Sequence, residues 1–426
     1  MHTRDSVMAS SNPVFGDDKP VDRKASLAGS INPSRAYERY VLRRVIDAMG
    51  SPSFTVILWD GFSVAPVHKR PIATVHIHSH AALMLLLRYG DMGFGDAFSD
   101  GSITVEGDLV GFLVEAFQNS QPPGLAGLVK RLQQPKPRAN THDGSRENIH
   151  HHYDIGNNFY QLWLDAEMQY TCAYFPEQEM SLEAAQQAKM DHICRKLQLR
   201  PGDRVAEAGC GWGGLARHMA LNYGAKVSSW NVSSEQVSFA VERARAEGYD
   251  DRVTYVLDDY RNISGEYDVF VSVGMLEHVG RDHYPALGEV VDRCLTADGR
   301  ALLHTIGRNR SRLMNPWIEK RIFPGAYPPT LGEMMDILEP HRFAVLDVEN
   351  LRLHYARTLQ QWLVRYDASY DEVVDQFDDE FGRAWRLYLA GSQAAFLAGA
   401  LQLFQVLFTR ERNNTLPWSR QHLYPG

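Results

Sequence analysis

Residues 205–214 read Val-Ala-Glu-Ala-Gly-Cys-Gly-Trp-Gly-Gly, and this stretch decides the fold. It closes a short apolar run, residues 204–208, and it opens a segment of helical period, residues 215–223. Glycines between a strand and a helix let the backbone turn sharply and approach a ligand closely. The stretch therefore predicts a cofactor loop at the carboxyl end of a strand, with a plain tight turn as the alternative.

The surroundings of these glycines indicate the ligand. Gly209, Gly211 and Gly213 have a spacing that departs from the dinucleotide fingerprint, in which a pyrophosphate lies at the helix N-terminus. Glu207 stands just before the first glycine, and its carboxylate suits a ligand that has a cationic amino-acid end and no phosphate. These features favour S-adenosylmethionine over NAD.

The segments that follow alternate between strand-like and helical patterns. Such alternation predicts an α/β fold, a parallel sheet with right-handed crossovers. Residues 343–348 and 404–409 are predicted to add strands at one edge, with a largely helical stretch, residues 358–405, between them. The other predicted strands are residues 204–208, 226–230, 253–257, 267–273 and 300–305, and the helices are residues 215–223, 235–247 and 284–295.

Polar residues are expected to contact the ligand at the ends of the second and third strands. Many nucleotide-binding folds hold a ribose with an acidic residue after the second strand, so an amide must take that role here. A solvated loop pair is the alternative interpretation of the two aspartates. The candidates are Asn231, Val232 and Gln236 after the second strand, and Asp258, Asp259 and Tyr260 after the third.

The region before the sheet has its own organisation. Residues 90–101 are rich in glycine and are predicted to form turns. The predicted helices there are residues 34–47, 81–88 and 109–118, and the strands are residues 54–59 and 74–77. The predicted units are a disordered tail at residues 1–33, a small α+β domain at 34–120, a linker at 121–145 and the S-adenosylmethionine-dependent domain at 146–426.

Bulk composition limits the classes of function. The chain has 426 residues and a formal net charge of −8, which argues against a nucleic-acid binder because such proteins carry a basic excess or stripe. Its four cysteines form no Cys-x-x-Cys pair and are expected to be reduced thiols in a cytosolic protein. The first residues lack the apolar core of a signal peptide, and glutamines interrupt the most apolar stretch, residues 394–408, so no membrane span is predicted.

Four further motifs lie in order along the chain: residues 152–160 (His-Tyr-Asp-Ile-Gly-Asn-Asn-Phe-Tyr) with 170–175 (Tyr-Thr-Cys-Ala-Tyr-Phe), 272–280 (Ser-Val-Gly-Met-Leu-Glu-His-Val-Gly), 303–307 (Leu-His-Thr-Ile-Gly) and 350–359. Together they resemble the cyclopropane fatty acid synthase and mycolic acid cyclopropane synthase family. The resemblance begins near Arg146 and extends more weakly into residues 93–98 and 105–109. It implies a Rossmann-like class I methyltransferase sheet with a smaller N-terminal α+β domain.

The resemblance also implies the residues of the site. A bicarbonate ion would be bound by Cys172, Glu277, His304, the backbone beside Ile306, and Tyr355. The S-adenosylmethionine contacts would be Tyr170, Thr171, Gly209, Asn231, Val232, Gln236, Tyr260 and Val273. Thr171, Glu207 and Arg261 differ from the residues common in relatives, which leaves the adenine and ribose contacts open.

The implied activity is alkylation of a cis double bond in a phospholipid acyl chain. Methyl transfer leaves a cation that aromatic faces can stabilise, and bicarbonate, held by donors that include a protonated His304, removes a proton to close a cyclopropane. Another ending would give mid-chain methylene or methyl-branched chains. Alternatives of other classes are a non-catalytic binding protein, which the intact set of site residues opposes, and a methyltransferase for a soluble metabolite, which the N-terminal domain opposes.

The resemblance further implies a cytoplasmic homodimer, peripherally associated with the inner face of the membrane. Residues 308–323, where basic and apolar side chains interleave, are either an interfacial patch for anionic headgroups or a solvated loop. No metal site is predicted, because His76, His78 and His80 lie on one strand face and residues 150–152 are a loop run, whereas metal ligands usually converge from separate elements. Candidates for the aromatic lining are Tyr153, Phe159, Tyr160, Trp163, Tyr174, Phe175, Trp317, Tyr355 and Trp362.

Overall fold

The computed structural model describes residues 32–50, 52–67, 69–119 and 155–424. Nearly all of the predicted tail, the whole predicted linker and the start of the first family motif lie outside these ranges. The histidine run at residues 150–152 and the aromatic candidate Tyr153 lie outside them as well. Predictions about these segments therefore stay predictions.

The N-terminal region is a four-stranded sheet with helices packed on it. The strands are β1 (Phe54–Leu58), β2 (Ser63–Val64), β3 (Ala73–Ile77) and β4 (Ile103–Gly107), and the helices are Ala36–Ala48, His80–Tyr89, Asp91–Ser99 and Leu109–Asn119. The strand order is β2-β1-β3-β4, with β1 and β3 parallel and the other pairs antiparallel. Along β1 and β3 buried and half-buried residues alternate, so one face of the sheet belongs to the core.

The turns predicted for residues 90–101 are wrong, because Asp91–Ser99 is a helix. Its glycines allow close packing against neighbouring segments and do not interrupt the helix. A Cβ on Gly93 would lie 2.2 Å from the carbonyl oxygen of Leu85, and one on Gly95 would lie 2.3 Å from the ring of Trp317. The predictions also omitted β2 and β4.

The larger sheet has seven strands in the order β10-β11-β9-β8-β5-β6-β7. Its strands are β5 (Arg204–Ala208), β6 (Lys226–Asn231), β7 (Val253–Leu257), β8 (Tyr267–Val273), β9 (Leu295–Gly307), β10 (Phe343–Asn350) and β11 (Gln402–Arg410). Strands β5 to β9 are parallel, whereas β11 lies antiparallel to both β9 and β10. The carboxyl ends of the parallel strands therefore share one edge, as the sequence predicts.

Two boundaries differ from the sequence predictions. Strand β9 begins at Leu295 and not at residue 300, because Leu295 already pairs with Tyr267 of β8. The largely helical stretch predicted as far as residue 405 ends at Leu397, where the positive φ of Gly399 turns the chain into β11. Gln405, which both this stretch and the strand predicted at residues 404–409 included, is a strand residue that pairs with His304 of β9.

Helices cover both faces of the larger sheet and fasten it to the N-terminal region. They are Asn157–Gln161, Leu182–Lys196, Gly214–Tyr223, Ser234–Glu247, Leu276–Val279, Tyr284–Cys294, Pro316–Arg321, Leu331–Leu338, Arg352–Ala368, Tyr370–Gln376 and Asp379–Leu397. Within the described ranges, none is long and apolar enough to cross a bilayer. Between the two regions, Arg321 pairs with Asp96 at 3.2 Å, and Arg383 donates to the carbonyl oxygen of Ser99 at 2.8 Å.

Candidate active site

The glycine loop after β5 has the conformation that its sequence predicts. Gly209 and Gly211 have φ values of +92° and +52°, a region that side chains disfavour. Gly213 also has a positive φ, and a Cβ there would lie 2.5 Å from the hydroxyl of Tyr255. The helix Gly214–Tyr223 begins directly afterwards, so the loop backbone forms the floor of a cavity at the carboxyl edge of the sheet.

Most of the predicted S-adenosylmethionine residues line this one cavity. They are Tyr170, Thr171, Glu207, Gly209, Gly211, Asn231, Gln236 and Val273. Val232, Asp259 and Tyr260 are not among its lining residues. Sequence reasoning missed further lining residues, namely Met168, Gln169, Cys210, Trp212, Leu215, Gly274, Met275 and His278. Several of these are neighbours in the chain of predicted residues, and this adjacency could have suggested that they line the cavity.

Glu207 supplies negative charge to the cavity wall. Its side chain is buried and accepts a hydrogen bond from Ser229 at 2.5 Å. Burial raises the pKa of this carboxyl to about 7, against the lowering effects of Ser229 and the Lys189 ammonium. A cationic ligand in the cavity would favour the ionised carboxylate.

Asn231 and Gln236 form a joined polar corner. The Asn231 amide donates to the Gln236 side-chain oxygen at 2.8 Å, and its own oxygen accepts the Ser233 N–H at 3.1 Å. Asp259 differs from the solvated alternative considered for it, because it is buried and Arg261 donates to both of its oxygens at 2.7 and 2.8 Å. Asp259 therefore anchors the turn after β7.

Glu277 and Ile306 lie in direct contact. The Ile306 N–H donates to one carboxyl oxygen of Glu277 at 2.5 Å. The second oxygen, Oε2, is buried and has no partner among the described residues. Burial raises the pKa of Glu277 to about 7, and the Ile306 hydrogen bond opposes this shift. A buried oxygen without a donor marks a place where a ligand would supply one.

His304 presents the complementary feature. It lies on β9, and its Nδ1 is 3.0 Å from the Gln405 amide nitrogen on β11. Its Nε2 is buried with no partner in the described structure. Burial, with help from the Lys189 ammonium, lowers the pKa of this imidazole to about 3. This shift opposes the protonated His304 that the family resemblance implies for the bicarbonate complex, and without a ligand the neutral ring is favoured.

Cys172 and Tyr355, the other two candidates, belong to one buried apolar cluster. The Cys172 thiol contacts the carbonyl oxygens of Ala173 and Leu351, at 3.1 and 3.9 Å, and burial raises its pKa far above the ordinary range. A thiol held protonated in this way is no nucleophile. Tyr355 is on the helix that begins after Leu351, and Ile306 packs against the apolar cluster that contains both Cys172 and Tyr355.

Lys189 is a functional candidate that sequence reasoning missed. It is fully buried on the helix Leu182–Lys196, and its ammonium donates to the side chains of Gln169 and Thr171, the latter at 3.0 Å. Its charge acts on Glu207 of the cavity wall and on Cys172 and His304 of the bicarbonate candidates. Nothing in its sequence context distinguishes it from an ordinary surface lysine.

Aromatic rings surround Tyr170 of the cavity wall. Tyr160, Trp163 and Trp362 have ring centroids 5.3 to 5.4 Å from it, and its hydroxyl lies 2.7 Å from that of Tyr388. Other predicted lining residues have different places: Tyr174 stacks between His192 and His354, and Phe175 lies beside His354. Phe159 is wholly buried in the same aromatic core, and Trp317 packs under Gly95.

The histidines near β3 and the stretch of residues 308–323 also have defined surroundings in the structure. Among the described residues there is no group of histidine, cysteine and carboxylate side chains that could hold a metal ion. His78 instead lies 2.8 Å from the Thr104 hydroxyl, and His80 pairs with Glu38. Of residues 308–323, Arg308 and Trp317 are buried, so the stretch is not a wholly exposed patch.

Comparison with known proteins shows the family of the chain. Residues 140–406 match the family model of mycolic acid cyclopropane synthetase. A probable fatty acid methyltransferase from Pseudomonas putida is 36% identical over 86% of this chain and 95% of its own length. The cyclopropane-fatty-acyl-phospholipid synthase of Escherichia coli K12 is 44% identical over 63% of this chain and 69% of its own length.

The solved structures lead to the same family. Mycolic acid cyclopropane synthase CmaA1, in complex with SAH and CTAB, is 29% identical, with a TM-score of 0.59 over 64% of this chain and 99% of that one. The cyclopropane synthase MmaA2 from Mycobacterium tuberculosis gives the same TM-score at 28% identity, over 64% of this chain and 99% of its own. The chain therefore belongs to the mycolic acid cyclopropane synthetase family of S-adenosylmethionine-dependent methyltransferases.

Proposed function

We propose that the protein is a cyclopropane-fatty-acyl-phospholipid synthase, which adds a methylene across cis double bonds of phospholipid acyl chains with bicarbonate as the base. The observation that carries the proposal is that two buried atoms, His304 Nε2 and Glu277 Oε2, have no partner among the described residues. Both residues adjoin the cavity wall, because Gly274 of the wall donates to the His304 carbonyl oxygen and His278 of the wall follows Glu277 in the chain. A neutral imidazole N–H donates and a carboxylate oxygen accepts, which matches an anion that also carries one hydroxyl. The E. coli relative of this name supports the substrate class.

On the cofactor side, the chain binds and orients the methyl donor. S-adenosylmethionine supplies a methyl group on a sulfonium, ready for displacement by the alkene. Glu207 favours the cationic ligand, and the Asn231–Gln236 corner offers amide groups to the ribose. Tyr170 lines the cavity and the rings packed behind it fix its position, so we assign its π-face to the cation that develops on the acyl chain.

On the base side, the residues present fit a small oxyanion. Bicarbonate, when bound, supplies an exchangeable base for a proton of the new methyl group, whereas a side-chain carboxylate in that place could be alkylated. His304 Nε2 and the Tyr355 hydroxyl are the donors that we assign to it, and Glu277 Oε2 is the acceptor. The Ile306 N–H, which is expected from sequence to contact the anion, donates to Glu277 in the ligand-free protein and holds that carboxyl in place.

The proposal is tested with the purified full chain, S-adenosylmethionine, bicarbonate and vesicles of a dioleoyl phospholipid. We expect acyl chains that are heavier by one methylene, resist hydrogenation and show cyclopropane protons by NMR. Glu277→Gln and His304→Ala should abolish turnover while S-adenosylmethionine binding is largely kept. Unchanged lipids with folded, cofactor-bound protein would refute the proposal, and loss of cofactor binding in the variants would show that the roles are misassigned.

A second ending of the same reaction is favoured by one observation. The P. putida relative, which matches 86% of the chain, carries the name probable fatty acid methyltransferase. If the cation loses a different proton or gains hydride, the products are mid-chain methylene or methyl-branched chains. The same NMR spectrum decides, because an exocyclic methylene gives vinyl protons and a methyl branch gives a doublet.

The proposal includes where the protein works. We propose that it reaches the acyl chain from the membrane surface, as a peripheral homodimer at the cytoplasmic face. Co-sedimentation with the same vesicles and light scattering of the free protein test these two statements. Binding to no vesicle, or a monomer at all concentrations, would contradict them.

A further inference from the structure

Gln405 is the residue that touches the catalytic candidate His304 from the neighbouring strand. The two are Cα partners in the antiparallel register of β9 and β11, and both side chains are buried. The Gln405 Nε2 lies 3.0 Å from the His304 Nδ1, an ordinary hydrogen-bond distance. The proposed reaction assigns no role to Gln405.

This contact determines which imidazole nitrogen carries the proton. An amide NH2 group only donates, so Nδ1 must accept with its lone pair. The single proton of a neutral imidazole then lies on Nε2, the nitrogen that has no partner among the described residues. The ring in this state donates a hydrogen bond without carrying a charge.

We propose that Gln405 is a positioning residue that holds His304 as the neutral Nε2–H tautomer, so that the imidazole donates to the bicarbonate ion without protonating it. The inference rests on the proposed function. An imidazolium in this place would act as an acid toward bicarbonate and would remove the base that ring closure needs. A neutral donor anchors the anion and leaves it basic.

The charged groups around His304 are consistent with this role. The helix Leu182–Lys196 presents Lys189, His192 and Lys196, and β10 presents Glu349. Glu349 is the Cα partner of Gln405, but its carboxylate is already paired with His192 at 2.7 Å and Lys196 at 2.6 Å. The two lysines disfavour an imidazolium, and the Glu349 carboxylate is already paired with other side chains.

The test compares Gln405→Glu with Gln405→Leu in the full chain, assayed on dioleoyl phospholipid vesicles with bicarbonate. In Gln405→Glu the new carboxylate accepts from Nδ1–H, so the neutral ring turns the Nε2 lone pair toward the anion, and the protonated ring donates only as an acid. Neither state supplies a neutral donor, so the rate should fall at every pH, to a tenth or less of the Gln405→Leu rate. Gln405→Leu leaves both tautomers accessible and should lower the rate only several-fold.

Gln402→Glu is the matched control, because Gln402 lies on the same strand and hydrogen-bonds to Gly399 and Asn350 instead of His304. It introduces the same charge and should keep most of the wild-type rate. If Gln402→Glu lost as much activity as Gln405→Glu, the effect would belong to charge alone and the proposal would fail.

A second readout is independent of turnover. Protein labelled with ¹⁵N-histidine, without cofactor or bicarbonate, should show the Nε2–H pattern for His304, assigned by its loss in His304→Ala. An Nδ1–H pattern in wild type, or a Gln405→Glu protein that is as active as Gln405→Leu, would overturn the inference. Wild-type turnover without bicarbonate would refute the proposed function instead, and the NMR spectrum would still decide the tautomer.

Discussion

Replacing Glu277 by glutamine should make the protein more stable at alkaline pH. Burial raises the pKa of this carboxyl from its ordinary 4.5 to about 7. Between these values the native protein holds a proton that the unfolded chain has lost, so stability falls as the pH rises through this window. Above pH 7 the full penalty is present, and at 1.36 kcal/mol per pKa unit it amounts to about 3 kcal/mol.

Glutamine escapes this penalty because it carries no charge and keeps an oxygen for the Ile306 N–H. Its added N–H takes the place of an oxygen that had no partner, which lowers the expected gain to about 1–3 kcal/mol at pH 8. The gain should shrink below pH 7 and vanish near pH 4.5. Urea titrations followed by tryptophan fluorescence, in buffers purged of carbon dioxide, measure it.

Glu333→Gln is the control of opposite sign. Glu333 accepts the Thr330 N–H at 2.8 Å in a capping box, and its pKa is lowered from the ordinary value although burial opposes the shift. This variant should lose stability at pH 8 and recover it as the pH falls. A Glu277→Gln protein that is less stable than wild type at pH 8, or a gain that does not depend on pH, would refute the reasoning.

Three further predictions concern the packing of two glycines, the cofactor loop and the hydrogen bond between Tyr170 and Tyr388. Gly95→Ala should destabilise by about 1–3 kcal/mol in urea titrations, because the added carbon meets the Trp317 ring, whereas Gly391→Ala, in a helix with nothing within 4 Å, should stabilise by up to about 1 kcal/mol. Gly209→Ala should weaken S-adenosylmethionine binding by calorimetry at least tenfold with the fold kept, because φ there is +92°; unchanged affinity would count against the loop. Tyr170→Phe and Tyr388→Phe should each cost about 1 kcal/mol and the double variant less than their sum, since they share one hydrogen bond; additive losses would contradict this.

The sequence predicted those parts of the fold whose signals are local. The run ending at Ala208, the glycines after it and the helical period beyond form one continuous pattern, and the structure follows it. The helix Asp91–Ser99 was not predicted because its glycines are locally typical of turns. They are needed for close contact with Leu85 and Trp317, which no local rule reveals. The domain boundaries stay predictions, since the predicted linker lies outside the described residues.

In the candidate site, too, only the residues with a local sequence signal could be predicted from the residues themselves. Glu207 followed from its place before the glycines, whereas the bicarbonate set came only from the family resemblance, because Cys172, Glu277 and His304 are far apart in the chain. The charge state of His304 depends on burial and on the Lys189 ammonium, neither of which a motif encodes. Gln405 falls where the predicted helical stretch, residues 358–405, overlaps the predicted strand, residues 404–409, and its pairing with His304 depends on strand register, which no motif encodes.

The contact between Gly95 and Trp317 has a consequence for how such proteins can be recombined. The tryptophan belongs to the segment that follows β9, and the glycine belongs to the N-terminal helix against which it packs. A hybrid that joins this catalytic region to another protein's N-terminal part needs a glycine opposite the indole. The two positions must therefore be inherited together, and any exchange of modules that separates them would leave either a clash or a gap.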